Sequence, residues 1–112
     1  MTARFHTTTS AGGAVTVTAI GEIDPATAGQ FRDTLAHAGA DRDRLTIDLT
    51  AVDYLDSAGI RVLDDFAASH ALEILVQPGG VVIVTLQVSG LVDVVTLRHP
   101  STEVAEQGGP PP

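Results

Sequence analysis

Two hydrophobic periods alternate along this chain, one of about two residues and one of about 3.6, and the switches between them mark out its elements. Arg4–Thr9 and Ala14–Ile20 are rich in β-formers and flank the turn signal Ser10-Ala11-Gly12-Gly13, which predicts a hairpin. In the second strand Val15, Val17 and Ala19 share one face, with Thr16, Thr18 and Ile20 on the other. Gly21-Glu22-Ile23-Asp24-Pro25 ends that strand and opens a helix, with Asp24 suited to the N-cap and Pro25 to the first helical position. Ala28, Phe31, Leu35 and Ala38 follow at helical spacing, and Gly39 is placed to stop the helix.

After the polar link Asp41–Arg44, Leu45, Ile47 and Leu49 alternate with Thr46, Asp48 and Thr50, as in a third strand. A short loop then leads to a helix beginning at Ser57. Ile60, Leu63 and Ala67 form its apolar stripe, flanked by Val62 and Phe66, with Arg61, Asp64, Asp65 and Ser69 opposite. Leu72–Val76 reads as a buried strand, and Pro78-Gly79-Gly80 breaks the chain. Val81–Ser89 is open to two readings. Val82, Val84, Leu86 and Val88 alternate with high β-propensity, so pattern alone predicts a strand; as a helix the segment would be apolar nearly all round. Gly90–Asp93 makes a turn, and Val94–Leu97 could form a last short strand.

Strands alternating with helices predict one α/β domain over residues 1–99, with parallel pairing across the crossovers. Residues 100–112, with Gly108-Gly109-Pro110-Pro111-Pro112 at the end, read as a disordered tail. No internal repeat is visible.

Composition narrows the function. The chain has 112 residues, 44% hydrophobic and 18% charged, which is enough for one modest core. Six basic against fourteen acidic residues give a net charge of −8. Such a chain is repelled by phosphate backbones and anionic membranes, so direct nucleic-acid binding and membrane insertion are not expected. The acidity serves solubility or matches a basic protein partner. Cysteine is absent, which excludes disulfides, thiol redox chemistry and cysteine zinc sites. With no long apolar run and no secretory leader, a cytoplasmic location is expected.

Little of the usual chemistry is present. The glycine pairs lack the spacing of a nucleotide-binding loop, and His6, His37, His70 and His99 lack the spacing of metal ligands. Ser57 stands in Leu-Asp-Ser-Ala-Gly rather than the Gly-x-Ser-x-Gly of a hydrolase elbow, so the chain is expected to be no enzyme and to need no cofactor. Two acidic loops remain, Glu22–Asp24 and Asp56–Gly59. In a parallel sheet both emerge at the carboxyl edge, where ligands and partners dock. There Ser57 is either a structural N-cap or a hydroxyl placed for phosphorylation, because a helix start stabilises negative charge.

Asp48-Leu49, followed by Leu55-Asp56-Ser57-Ala58-Gly59-Ile60, resembles the signature of STAS domains, particularly bacterial anti-sigma factor antagonists. Gly21-Glu22-Ile23-Asp24 is similar to the family motif after the second strand, and Ser89-Gly90-Leu91 to its C-terminal turn. The likeness spans about residues 4–97. It implies a mixed sheet, an N-terminal hairpin plus parallel strands, with helices mainly on one face. It implies that an anti-sigma factor with serine kinase activity phosphorylates Ser57, and that only the unphosphorylated antagonist binds that partner. The implied partner surface is Glu22, Asp24, Asp56, Ser57, Ala58, Gly59 and Arg61. Related Asp-Ser-Ala-Gly runs also occur in STAS modules of transporter and lipid-trafficking complexes, where no phosphorylation is expected. Ala58 stands where antagonists carry a second hydroxyl, and Arg61 where a glycine is frequent. The helix after Ser57 also looks about one turn shorter than usual. The resemblance favours a helix for Val81–Ser89. Ile83 and Val84 would then replace solvent-facing arginines, as a contact patch for a homodimer or partner, or as part of a more deeply buried helix.

Overall fold

A computed structural model describes residues 2–99. The expected tail, 100–112, lies outside the described residues. The chain runs β1 (Ala3–Thr9), β2 (Val15–Ile23), α1 (Ala28–Ala38), β3 (Arg44–Leu55), α2 (Ser57–Ala67), β4 (Ala71–Leu75), α3 (Val81–Ser89), a 3-10 turn (Leu91–Asp93) and β5 (Thr96–Arg98). These strands form one sheet in the order β1-β2-β3-β4-β5. The β1–β2 pair is antiparallel, and every later pair is parallel.

That order explains the layering. When sequential parallel strands lie side by side and each crossover is right-handed, all crossovers fall on one face of the sheet. Val17, Ile47 and Ile74 from the strands therefore share a single core with Phe31, Leu35, Val62, Leu63 and Leu86 from the helices. Phe31 also stacks on Phe5, at 5.4 Å between ring centres, drawing β1 onto α1. The expected mixed sheet with helices on one face is what the chain forms.

The elements differ from what the hydrophobic pattern alone predicts in four places. First, β3 continues through Ala51–Leu55, where a loop is predicted. Its register against β2 slips between Thr18 and Ile20 and again between Gly21 and Glu22. Each slip inserts one residue into β3, so its buried positions run Leu45, Ile47, Leu49, then Val52, then Leu55. The period of two is lost, and with it the strand signal. Asp48 supports the first slip, its carboxylate accepting from the Thr50 N–H at 2.9 Å and the Thr50 hydroxyl at 2.6 Å.

Second, β2 runs on to Ile23, and α1 starts at Ala28 instead of Pro25. Gly21 allows the extension: its φ is +105°, and a Cβ there would lie 2.5 Å from the Thr2 carbonyl oxygen. Third, Val81–Ser89 is a helix against its β-propensity, as the family resemblance favours. It joins two parallel strands, β4 and β5, and a parallel pair needs a crossover that a hairpin strand cannot supply. Val82 and Leu86, one turn apart, enter the core. Gly90 closes the helix at φ +84°. Fourth, Val94–Leu97 shifts to a strand at Thr96–Arg98, tied to β4 by an Arg98–Glu73 ion pair of 2.9 Å.

The expected patch on α3 is divided. Val84 is 52% exposed, together with Val81 at 61% and Val88 at 83%, while Ile83 is half-buried against the core. Among the described residues, no helix is long and apolar enough to cross a membrane.

Candidate functional site

The two acidic loops meet at the carboxyl edge of β2 and β3. Glu22 lies opposite Tyr54 and Ile23 opposite Leu55, the last register pair of these strands. One further backbone bond, from the Asp56 N–H to the Ile23 carbonyl at 3.2 Å, holds the two loops together as the strands end. Asp24 therefore lies beside Asp56, and the start of α2 sits over both strand ends.

Asp24 is only 6% exposed. Its Oδ1 accepts from the Ala26 N–H at 2.9 Å and the Thr27 N–H at 3.1 Å, capping the turn that precedes α1. The Thr27 hydroxyl donates to the Glu22 carbonyl at 2.9 Å and accepts from the Asp24 N–H at 3.0 Å. Asp24 thus brings charge to the edge while its Oδ1 serves its own turn. The Asp-x-x-Thr spacing, close to that of a capping box, carried the signal for Thr27, which the sequence reading passes over.

Asp56, not Ser57, is the N-cap of α2: its Oδ1 accepts from the Ala58 N–H at 2.9 Å. Ser57 is the first helical residue and is exposed. Its hydroxyl makes no hydrogen bond among the described residues, so the structural reading of Ser57 as the cap gives way. Asp56→Ala is accordingly expected to cost about 1 kcal/mol of stability, and Ser57→Ala less than about 0.5 kcal/mol, in urea unfolding. Equal losses would return the cap to Ser57.

Gly59 fixes how closely α2 approaches the strands. It is buried, and a Cβ on it would collide with Leu55 Cδ1 and come within 2.8 Å of Ile23 Cγ2. Ala58 is half-buried beside it. Arg61 is exposed one turn further along, with no ion pair among the described residues. The helix is braced instead by Arg32 of α1, whose guanidinium lies 3.0 Å from the Asp65 carboxylate. Tyr54, 45% exposed beside Glu22, adds an aromatic to this edge that the sequence reading omits.

A hollow of about 630 Å³ lies at the opposite end of the strands, between Gly12–Val15, Arg42–Thr46 and Ala71–Glu73, and no residue of the Ser57 loop lines it. No cluster of described residues could hold a metal ion. Three carboxylates, a free hydroxyl, one cation and an exposed aromatic along one edge suit contact with another macromolecule, with the hydroxyl accessible to its groups.

The profile of the STAS domain family matches residues 6–106. No curated protein matches the chain. Among solved structures, an anti-sigma factor antagonist from Mycobacterium paratuberculosis is similar at 22% identity and a TM-score of 0.78, covering 96% of this chain and 93% of its own. The antagonist SpoIIAA in its unphosphorylated form is similar at 17% identity and a TM-score of 0.67, covering 97% of this chain and all of its own. The Bacillus protein SpoIIAA in the phosphorylated form gives 16% identity and a TM-score of 0.62, covering 92% of this chain and 98% of its own. At these identities the likeness is one of fold.

Proposed function

The chain belongs to the STAS domain family, and from that premise we propose that it is an anti-sigma factor antagonist switched off by phosphorylation of Ser57. The observation that carries this reading is the uncommitted Ser57 hydroxyl. It is exposed at the first residue of α2, while the neighbouring Asp56 takes the cap, so modification would cost the fold no hydrogen bond. The existence of SpoIIAA in phosphorylated and unphosphorylated forms on the same fold supports it.

In this role the partner is an anti-sigma factor that is also a serine kinase. It docks on the edge formed by Glu22, Asp24, Asp56, Ser57, Ala58, Gly59 and Arg61. The kinase holds a nucleoside triphosphate, and the Ser57 oxygen attacks its γ-phosphorus. The hydroxyl proton passes to a base of the kinase, and the bond to the leaving nucleoside diphosphate breaks. This chain contributes the acceptor and no catalytic group. The product carries about −1.5 to −2 extra charge at an edge already lined by carboxylates. Close packing against the partner would strip water from this added charge and hold it beside the existing carboxylates, a cost that releases the complex. A cytoplasmic location goes with this role.

Ala58 favours a second reading, a STAS module of a transporter or lipid-trafficking complex that is never phosphorylated. It removes the neighbouring hydroxyl that antagonists carry. Intact-mass measurement after incubation with ATP and each candidate partner kinase separates the two. The antagonist gains one phosphate, and Ser57→Ala gains none. Binding to a transporter subunit, with no phosphate gained from any such kinase, overturns the switch.

A further inference from the structure

Ser57 and Arg61 stand four residues apart on α2, so their side chains rise from the same face one turn apart. Both are exposed. The Ser57 hydroxyl is unbonded, and Arg61 makes neither a hydrogen bond nor an ion pair among the described residues. The two carboxylates that could compete for Arg61 on its own helix do not pair with it. Asp65 is held by Arg32 at 3.0 Å, and Asp64 makes no ion pair. An acid on the N-terminal side of a cation at this spacing is also the better orientation, because it agrees with the helix dipole, and only Ser57 can provide it here.

Resting on the reading of Ser57 as a phosphoacceptor, we propose that Arg61 is the built-in counter-ion of phosphoserine 57. Without phosphate the guanidinium stands free at the partner-facing edge. With phosphate it folds back one turn and binds the phosphate oxygens through its planar N–H fork, a geometry that matches a phosphate bidentately. Phosphorylation then changes the docking edge twice: it adds a dianion and withdraws the only cation on this part of α2. It also offsets the repulsion between the phosphate and the Asp56 carboxylate, which keeps the modified helix start intact.

The test installs phosphoserine at position 57 during translation, so that no kinase is involved. The phosphate's second ionisation, near pH 6 for free phosphoserine, is then followed by phosphorus NMR. In the natural sequence the midpoint is expected to lie a few tenths of a pH unit lower than in Arg61→Gln, with Arg61→Lys in between. The difference should shrink as salt is raised, since both groups are exposed. Superimposed titrations for the natural sequence and Arg61→Gln, with circular dichroism showing both folded, overturn the proposal. The kinase experiment is independent: phosphorylation with superimposed titrations sinks the counter-ion alone. A lowered midpoint with no kinase able to modify Ser57 sinks the switch and leaves the ion pair standing.

Discussion

Gly59→Ala is expected to lower the melting temperature by about 10 °C, although alanine is the better helix former. The propensity gain is about 1 kcal/mol. Against it stands a methyl group driven between Leu55 and Ile23, both buried, with Ile23 Cγ2 only 2.8 Å from the new Cβ. Ile23 branches at its own Cβ inside a paired strand and cannot swing away, so overpacking costs about 3 kcal/mol. The net loss of about 2 kcal/mol is large against the ~5–15 kcal/mol that such domains possess. At roughly 4–8 °C per kcal/mol, it gives the stated shift. Thermal unfolding followed by circular dichroism checks it, and a melting point within about 2 °C of the natural sequence would show that α2 does not seat this closely. Under the proposed function the same substitution is expected to weaken partner binding, because α2 can relieve the clash only by lifting Ser57 away from the β2–β3 edge.

Under the proposed antagonist role, Ser57→Asp is expected to weaken binding to the anti-sigma partner about 30-fold, equivalent to about 2 kcal/mol, while leaving stability unchanged. Stability holds because Ser57 is exposed, makes no hydrogen bond, and stands at a helix start, where a carboxylate is welcome. Binding suffers because the new charge joins Glu22, Asp24 and Asp56 at one edge of the sheet. Ser57→Asn separates charge from size: nearly isosteric with aspartate, it should retain most of the affinity. Calorimetric titration of the three proteins against the partner decides the matter. If Asp and Asn weaken binding equally, bulk rather than charge operates at this position.

Where the sequence reading succeeded and failed follows from how far each signal reaches along the chain. The stripe on α2 was legible because Ile60, Val62, Leu63 and Phe66 answer to one sheet through a regular helix. The end of β3 was not, because each register slip against β2 shifts its buried positions by one, and the partner strand that causes the slip lies about 30 residues away. The start of α1 was misplaced because Asp24 and Pro25 do make a capped turn, but α-helical structure begins only at Ala28. The motif Leu55–Ile60 located the site without revealing its division of labour. Asp56 and Ser57 are both good helix-start residues, and backbone geometry, not composition, assigns the cap to Asp56.

By itself the sequence determined the α/β class, through local periodicity and spacing, and, through resemblance to the family, most of the residues that meet at the edge. Only the tertiary structure supplied the physical reason for three things. Val81–Ser89 had to be helical to carry the chain between parallel strands. Gly59 had to lack a side chain, because Ile23 and Leu55 from two strands occupy the space where one would go. Ser57 was left free, because the Ile23 carbonyl fixes the Asp56 backbone, Asp56 caps Ala58, and the helix start then asks nothing of the serine. In each case the deciding atoms come together only through folding, beyond the reach of any pattern along the chain.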